Sequence, residues 1–182
     1  MAQRRPKKLG EEALWEYALT ALGARGHAVS ELRDKLRKRA ERADDVEEVL
    51  GRLKRAGYLD DRKFAAAFAE SRLSGQGFGR GRALRDLRAK RVAPAVAEQA
   101  VQAAYAETDE VQLIESFLAR KYRKISLGEY LADARHLSAA YRRLRLAGFG
   151  AGNAIRVLKR YAEEADALEE TDEEEPGGSE QS

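Results

Sequence analysis

The chain has no cysteine, so disulfides, zinc–thiolate sites and thiol nucleophiles are excluded. That absence suits a reducing, cytoplasmic setting. Runs rich in valine, isoleucine and threonine are missing, which argues against a substantial β-sheet. Proline occurs three times and aromatic residues make up 7% of the chain. No apolar run approaches the length of a membrane span, and the opening "MAQRRPKKLGEE" is basic without the apolar stretch of a secretory signal. The two histidines, His27 and His136, lie far apart and neither sits in a ligand-type carboxylate pattern. No metal, no cofactor and no membrane partner is therefore expected, and no catalytic residue.

What remains is a chain that is 43% hydrophobic and 36% charged. Alanine, leucine, glutamate, lysine and arginine dominate it, a composition that favours helices. Ten of the 31 acidic residues fall in the last twenty positions, which hold no lysine or arginine. Positions 1–162 thus carry 34 basic residues against 21 acids, a net charge of +13. A body of that charge attracts polyanions, nucleic acid first among them. The acidic tail has too few apolar residues to fold and is expected to be disordered over 166–182. It reads either as a solubilising segment or as an internal competitor that masks the basic body.

The body reads as successive amphipathic helices. "EEALWEYALTALGAR" sets Leu14, Trp15, Ala18, Leu19 and Leu22 on one stripe. Ser30 is the expected cap of "ELRDKLRKR", and Asp44 with Glu47 has capping-box spacing ahead of Val46, Val49, Leu50 and Leu53. "RKFAAAFAESRLSG", "GRGRALRDLRAKR" and "PAVAEQAVQAAY" follow, with Pro94 suited to a first turn. A third round comprises "DEVQLIESFLARKY", "EYLADARHLSAAYRRLRLAG" and "AGNAIRVLKRYAEEA". Residues 87–105 lie over 144–162 without a gap, which points to an internal repeat. The expected organisation is a basic extension (1–12), three three-helix repeats (13–57, 58–106 and 107–165) and the tail. Such a fold is all-α, and stacked repeats of this kind would form an elongated, curved array.

"GYLDDRKF" contains an adjacent carboxylate pair, Asp60 and Asp61. A structural reading uses every residue: Gly57 ends one helix, Asp60 caps the next, and Leu59 staples to Phe64. Asp61 falls in the first turn, where the helix dipole favours negative charge. The glycines of "SGQGFGRGR" match neither dinucleotide nor phosphate-loop spacing and follow a helix rather than a strand, so the stretch reads as a flexible connector. The helix after it carries Arg80, Arg82, Arg85, Arg88, Lys90 and Arg91 against a single acid, Asp86. At helical spacing Leu84 and Leu87 point inward while Arg82, Arg85 and Arg88 fan outward. The face is either a solvated surface or a site for DNA or an acidic protein. Tyr58, Phe78, Tyr122 and Phe149 lie near helix ends or in connectors, so aromatic interleaving for base stacking is thin.

The segments "ALTALGARGHAVSELRDKLRKR", "VLGRLKRAGYLDDRKFAAAFAESRL" and "GRGRALRDLRAKRV" resemble the RecX family, bacterial regulators of the RecA recombinase. Ser30-Glu31-Leu32 with Leu36, the run Gly57 to Asp61 with Phe64 and Arg72, and Leu84 and Leu87 before Lys90 carry the likeness. It is strongest over 13–105. The chain departs from the family at Arg39-Ala40 and Arg91-Val92, where a Lys-Gly turn is frequent. The resemblance implies a non-enzymatic protein of three helical repeats, and a monomer is expected. It implies binding to the RecA–single-stranded DNA filament and restraint of filament growth, ATP hydrolysis, strand exchange and co-protease activity, hence roles in homologous recombination, DNA repair and the SOS response. Arg72, Arg80, Arg82, Arg85, Arg88 and Lys90 are the residues expected on the binding face. A standalone, nucleoid-type DNA-binding protein is the alternative.

Overall fold

The computed structural model describes residues 8–162 and 165, so most of the basic extension and the acidic tail lie outside the described residues. Among the described residues the chain is all-α, with ten α-helices and no strand. They are α1 (Glu11–Ala24), α2 (Val29–Arg37), α3 (Ala43–Arg55), α4 (Asp61–Glu70), α5 (Arg80–Ala89), α6 (Pro94–Ala104), α7 (Glu110–Lys121), α8 (Leu127–Leu131), α9 (Ala134–Leu146) and α10 (Ala151–Leu158). A π-helical turn, Ser71–Gly75, continues α4. Leu9 forms an isolated parallel bridge with Ala40.

The chain divides into two compact units. The first holds residues up to Ala69 together with Arg85–Ala103; the second holds Glu70–Leu84 and the chain from Ala104 onward. The division passes through α5, between Leu84 and Arg85. In the first unit the apolar stripes of α1, α2 and α3 meet in one core that includes Leu14, Ala18, Leu32, Leu36, Val46, Leu50 and Leu53. In the second, α7, α9 and α10 enclose Ile114, Leu118, Leu144, Phe149, Ile155 and Leu158.

Three helices end in one way. Tyr58 N–H donates to Leu53 O and Gly57 N–H to Lys54 O; Val92 pairs likewise with Leu87 and Arg91 with Arg88, and Phe149 with Leu144 and Gly148 with Arg145. This is the Schellman closure, which requires a left-handed residue after the helix. Gly57 (φ 75) and Gly148 (φ 91) meet that need at no steric cost, whereas Arg91 (φ 56) meets it with a side chain. At the other family departure, Arg39-Ala40, α2 closes without a positive φ, and Ala40 joins the bridge to Leu9. Replacing Arg91 by Gly should stabilise the protein by roughly 0.5–1 kcal/mol, since relief of the left-handed strain exceeds the entropy of the freer unfolded chain. Thermal melts of the two chains check this; a lower midpoint for the glycine variant would contradict it.

Several local expectations are corrected. Ser30 does not cap α2, which begins at Val29 after Ala28; the Ser30 hydroxyl donates instead to the carbonyl of Lys90. Asp44 does not cap α3, whose N-cap is Arg42 without a side-chain bond; Asp44 and Asp45 sit in its first turn. The segment 129–148, expected as one helix, is broken into α8 and α9. Asp133 causes the break, because its Oδ1 accepts from the amides of Arg135 (2.8 Å) and His136 (3.2 Å) and so starts a new helix.

The stretch 74–82 is not a flexible connector either. Within the second unit Gly79 N–H donates to Ala147 O (2.9 Å) and Gly81 N–H to Gly148 O (3.0 Å). The two backbones touch. A Cβ on Gly79 would stand 2.7 Å from Phe149 N, and one on Gly148 would stand 2.6 Å from Arg82 Cβ. The glycines therefore serve close backbone approach rather than freedom.

Candidate functional site

The adjacent carboxylates of "GYLDD" have separate duties in the first unit. Asp60 Oδ1 accepts from the amides of Arg62 (2.8 Å) and Lys63 (3.2 Å). The bonds from Lys63 and then Arg62 hold its carboxyl below the usual carboxylate range. Asp61 Oδ1 instead accepts from Val29 N–H at 2.9 Å, serving the first amide of α2, a helix whose own cap position is alanine. Leu59 is buried in the core of the first unit. The Phe64 ring lies beside Phe68, centroids 5.7 Å apart, and a Cβ added at Gly26 would meet it at 3.5 Å.

The expected basic face falls into parts. Arg80 is exposed, but its Nη2 donates to Tyr105 O at 2.6 Å and its guanidinium lies over the Tyr105 ring. Tyr105 is itself anchored, since its hydroxyl donates to Phe78 O at 2.8 Å. Burial pushes that phenol up to about 12. Arg82 is half-buried, its guanidinium 5.5 Å from the centre of the Phe78 ring. Arg72, in the π-helical turn, donates to Gln76 Oε1 at 2.6 Å. All of these contacts lie in the second unit, and they hold three arginines and Tyr105 at the glycine-rich segment.

In the first unit Arg85 and Arg88 are exposed on α5, above the buried Leu87. Arg88 Nη2 stands 3.5 Å from Glu98, a pair open to solvent on both sides and hence worth little. Lys90 behaves differently. Its Nζ donates to Glu31 Oε1 at 2.7 Å and lies within 6 Å of the Phe64 and Phe68 rings. Arg91 pairs with Asp34. The structure thus leaves Arg80, Arg85 and Arg88 exposed and turns Lys90 inward.

Glu31 is the partner that sequence reasoning missed. Burial works to raise its pKa, but the hydrogen bonds from Lys90 Nζ and the Ala28 amide, with the charges of Lys90 and Arg25, hold it below the usual value. A carboxylate with a depressed folded pKa contributes stability above its unfolded value and loses it as pH falls through the folded value. Glu31→Gln should therefore cost about 1–2 kcal/mol near neutral pH, and the gap from the natural chain should close as Glu31 protonates in acid. Urea titrations at neutral and acid pH test this; a gap independent of pH would contradict it. The one available signal is the position of Glu31 three residues after the Ala28 cap, but nothing local pairs it with Lys90.

His27 is buried with Nδ1 2.9 Å from Arg25 O, and burial lowers its pKa. Among the described residues no group of histidine, aspartate or glutamate is arranged to hold a metal ion. Nor is any helix there long and apolar enough to cross a membrane.

The fold and this face define a class: an all-α repeat protein that presents arginines on one helix. Family comparison gives the class its content. Residues 15–53 match the model of the first three-helix domain of RecX, and residues 60–101 that of the second. The chain is 35% identical to the regulatory protein RecX of Deinococcus radiodurans over 162 residues, covering 88% of this chain and 74% of that protein. It is 40% identical to the regulatory protein RecX of Thermus thermophilus over 117 residues, 63% of this chain and 74% of the relative. The crystal structure of RecX from Lactobacillus salivarius matches with a TM-score of 0.62 at 19% identity, over 83% of this chain and 96% of that one. The chain belongs to the RecX family of regulatory proteins.

Proposed function

We propose that this chain binds the RecA–single-stranded DNA filament and restrains its growth, its ATP hydrolysis, strand exchange and co-protease activity. Membership in a family of regulatory proteins is the observation that carries this reading. The charge distribution supports it, because positions 1–162 hold a net charge of +13. A filament filled with nucleic acid presents a polyanion along which weak ionic contacts add. In this reading Arg85 and Arg88 meet the filament directly, and Arg80 of the same helix adds to them. Arg72 and Arg82 fix the loop that leads into α5, and Lys90 fixes its end. The three helical repeats, 13–57, 58–106 and 107–165, are proposed as the modules that spread these contacts.

The test mixes the chain with RecA, single-stranded DNA and ATP and follows ATP hydrolysis. Substoichiometric amounts are expected to slow it. An unchanged rate alongside tight binding of naked DNA would assign the chain to standalone DNA binding instead.

A further inference from the structure

The break between α8 and α9 builds a feature that the sequence pattern does not announce. His136, in the first turn of α9, lies flat on Tyr130 of α8, with centroids 4.0 Å apart and planes 7° from parallel. His136 Nδ1 stands 3.1 Å from Tyr130 O. A carbonyl only accepts, so Nδ1 carries the proton and the ring is held in one orientation. Tyr130 in turn lies 5.4 Å from Tyr122, whose hydroxyl accepts from Arg143 Nη1 at 2.8 Å. Tyr122 is buried, Tyr130 half-buried and His136 exposed. The tier of rings thus runs from the core of the second unit outward and ends on an imidazole at the surface.

Cations flank this tier along the chain. Arg123 and Lys124 follow Tyr122, and Arg135 precedes His136; all three are exposed. None of them forms an ion pair with a carboxylate among the described residues. Two acids share the region: Asp133, whose Oδ1 is engaged by two backbone amides, and the exposed Glu129 next to Tyr130, so the three cations stand against two carboxylates. A solvent-facing aromatic platform with exposed cations that no carboxylate pairs suits a ligand that carries both π faces and phosphates. An acidic protein surface would use the cations and leave the stack idle.

We propose that His136, seated on Tyr130, is a stacking platform for a base of single-stranded DNA, with Arg123, Lys124 and Arg135 taking the flanking phosphates. The choice of DNA rests on the function proposed above; the platform and its cations do not. Orientation by Tyr130 matters here, because an imidazole already fixed loses little freedom when a base settles on it.

The experiment uses the full chain without RecA and measures fluorescence anisotropy with short oligo(dT) and with an abasic strand of equal length. Raised salt suppresses the ionic contribution that both strands share. The natural chain is expected to prefer oligo(dT) by at least about fivefold, the lower end of what one stacked base contributes. His136→Ala should abolish the preference while leaving abasic binding unchanged, and His136→Trp should restore it. Equal binding of both strands by the natural chain, a preference that survives His136→Ala, or competition by polyglutamate as strong as by oligo(dT) would each overturn the proposal. Since RecA is absent, a failure to affect RecA's ATPase leaves this result standing, and the reverse holds as well.

Discussion

Gly148→Ala should destabilise the second unit by roughly 4 kcal/mol, a large part of the 5–15 kcal/mol typical of a whole domain. The new Cβ meets two penalties. At φ 91 an L side chain is strained, at a cost of about 1–2 kcal/mol. It would also stand 2.6 Å from Arg82 Cβ and 2.8 Å from Arg82 Cα, atoms that no side-chain rotation can move aside. Relief requires the 79–82 segment to lift away, which strains or breaks the Gly79–Ala147 and Gly81–Gly148 bonds. Each such bond contributes about 0.5–1.5 kcal/mol. The matched control is Gly152→Ala in α10, where nothing lies within 4 Å of the added methyl. That change should be neutral or stabilising by up to about 1 kcal/mol. Calorimetry on both variants decides: equal melts for the two substitutions would refute the close-approach reading.

The second large effect is functional. Arg85→Glu combined with Arg88→Glu should remove the proposed restraint on RecA's ATP hydrolysis at protein concentrations where the natural chain is expected to act. Each lost phosphate contact should lower the salt dependence of single-strand binding by about 0.7 in log–log slope, so the pair should lower it by about 1.4. Reversal adds repulsion to that loss, and affinity should fall by at least about tenfold. Helicity should not change, because both side chains are exposed and the Arg88–Glu98 pair is open to solvent. An undiminished restraint in the double variant would move the binding face away from α5. Reversing Lys90 instead would be a poor probe, since its ammonium serves Glu31 inside the first unit.

The stripe spacing of Leu32 and Leu36, and of Val46, Val49, Leu50 and Leu53, is enough to place α2 and α3 and their buried faces, because helical periodicity depends only on local geometry. Caps are less legible. Asp60 satisfies two amides of its own helix, yet the amide of Val29 is satisfied by Asp61, 32 positions away. No local rule finds that bond.

The glycine-rich stretch is the most misleading. Alternating glycines predict freedom when read alone, but here they allow one backbone to lie against another. The long segment from Glu129 reads as one helix because its apolar spacing continues across Asp133. The aspartate wins there, as its carboxylate binds the two amides that follow and the chain turns. That turn is also what sets His136 on Tyr130.

By itself, then, the sequence determined the all-α class, the helical stripes and the concentration of positive charge in positions 1–162, since composition and spacing are local properties. Only the tertiary structure decided which cations face outward and which glycines are contacts. It also decided that the two aspartates of "GYLDD" serve different helices. Those outcomes turn on groups far apart in the chain meeting, as Asp61 meets Val29 and Lys90 meets Glu31, and periodicity carries no information about such meetings.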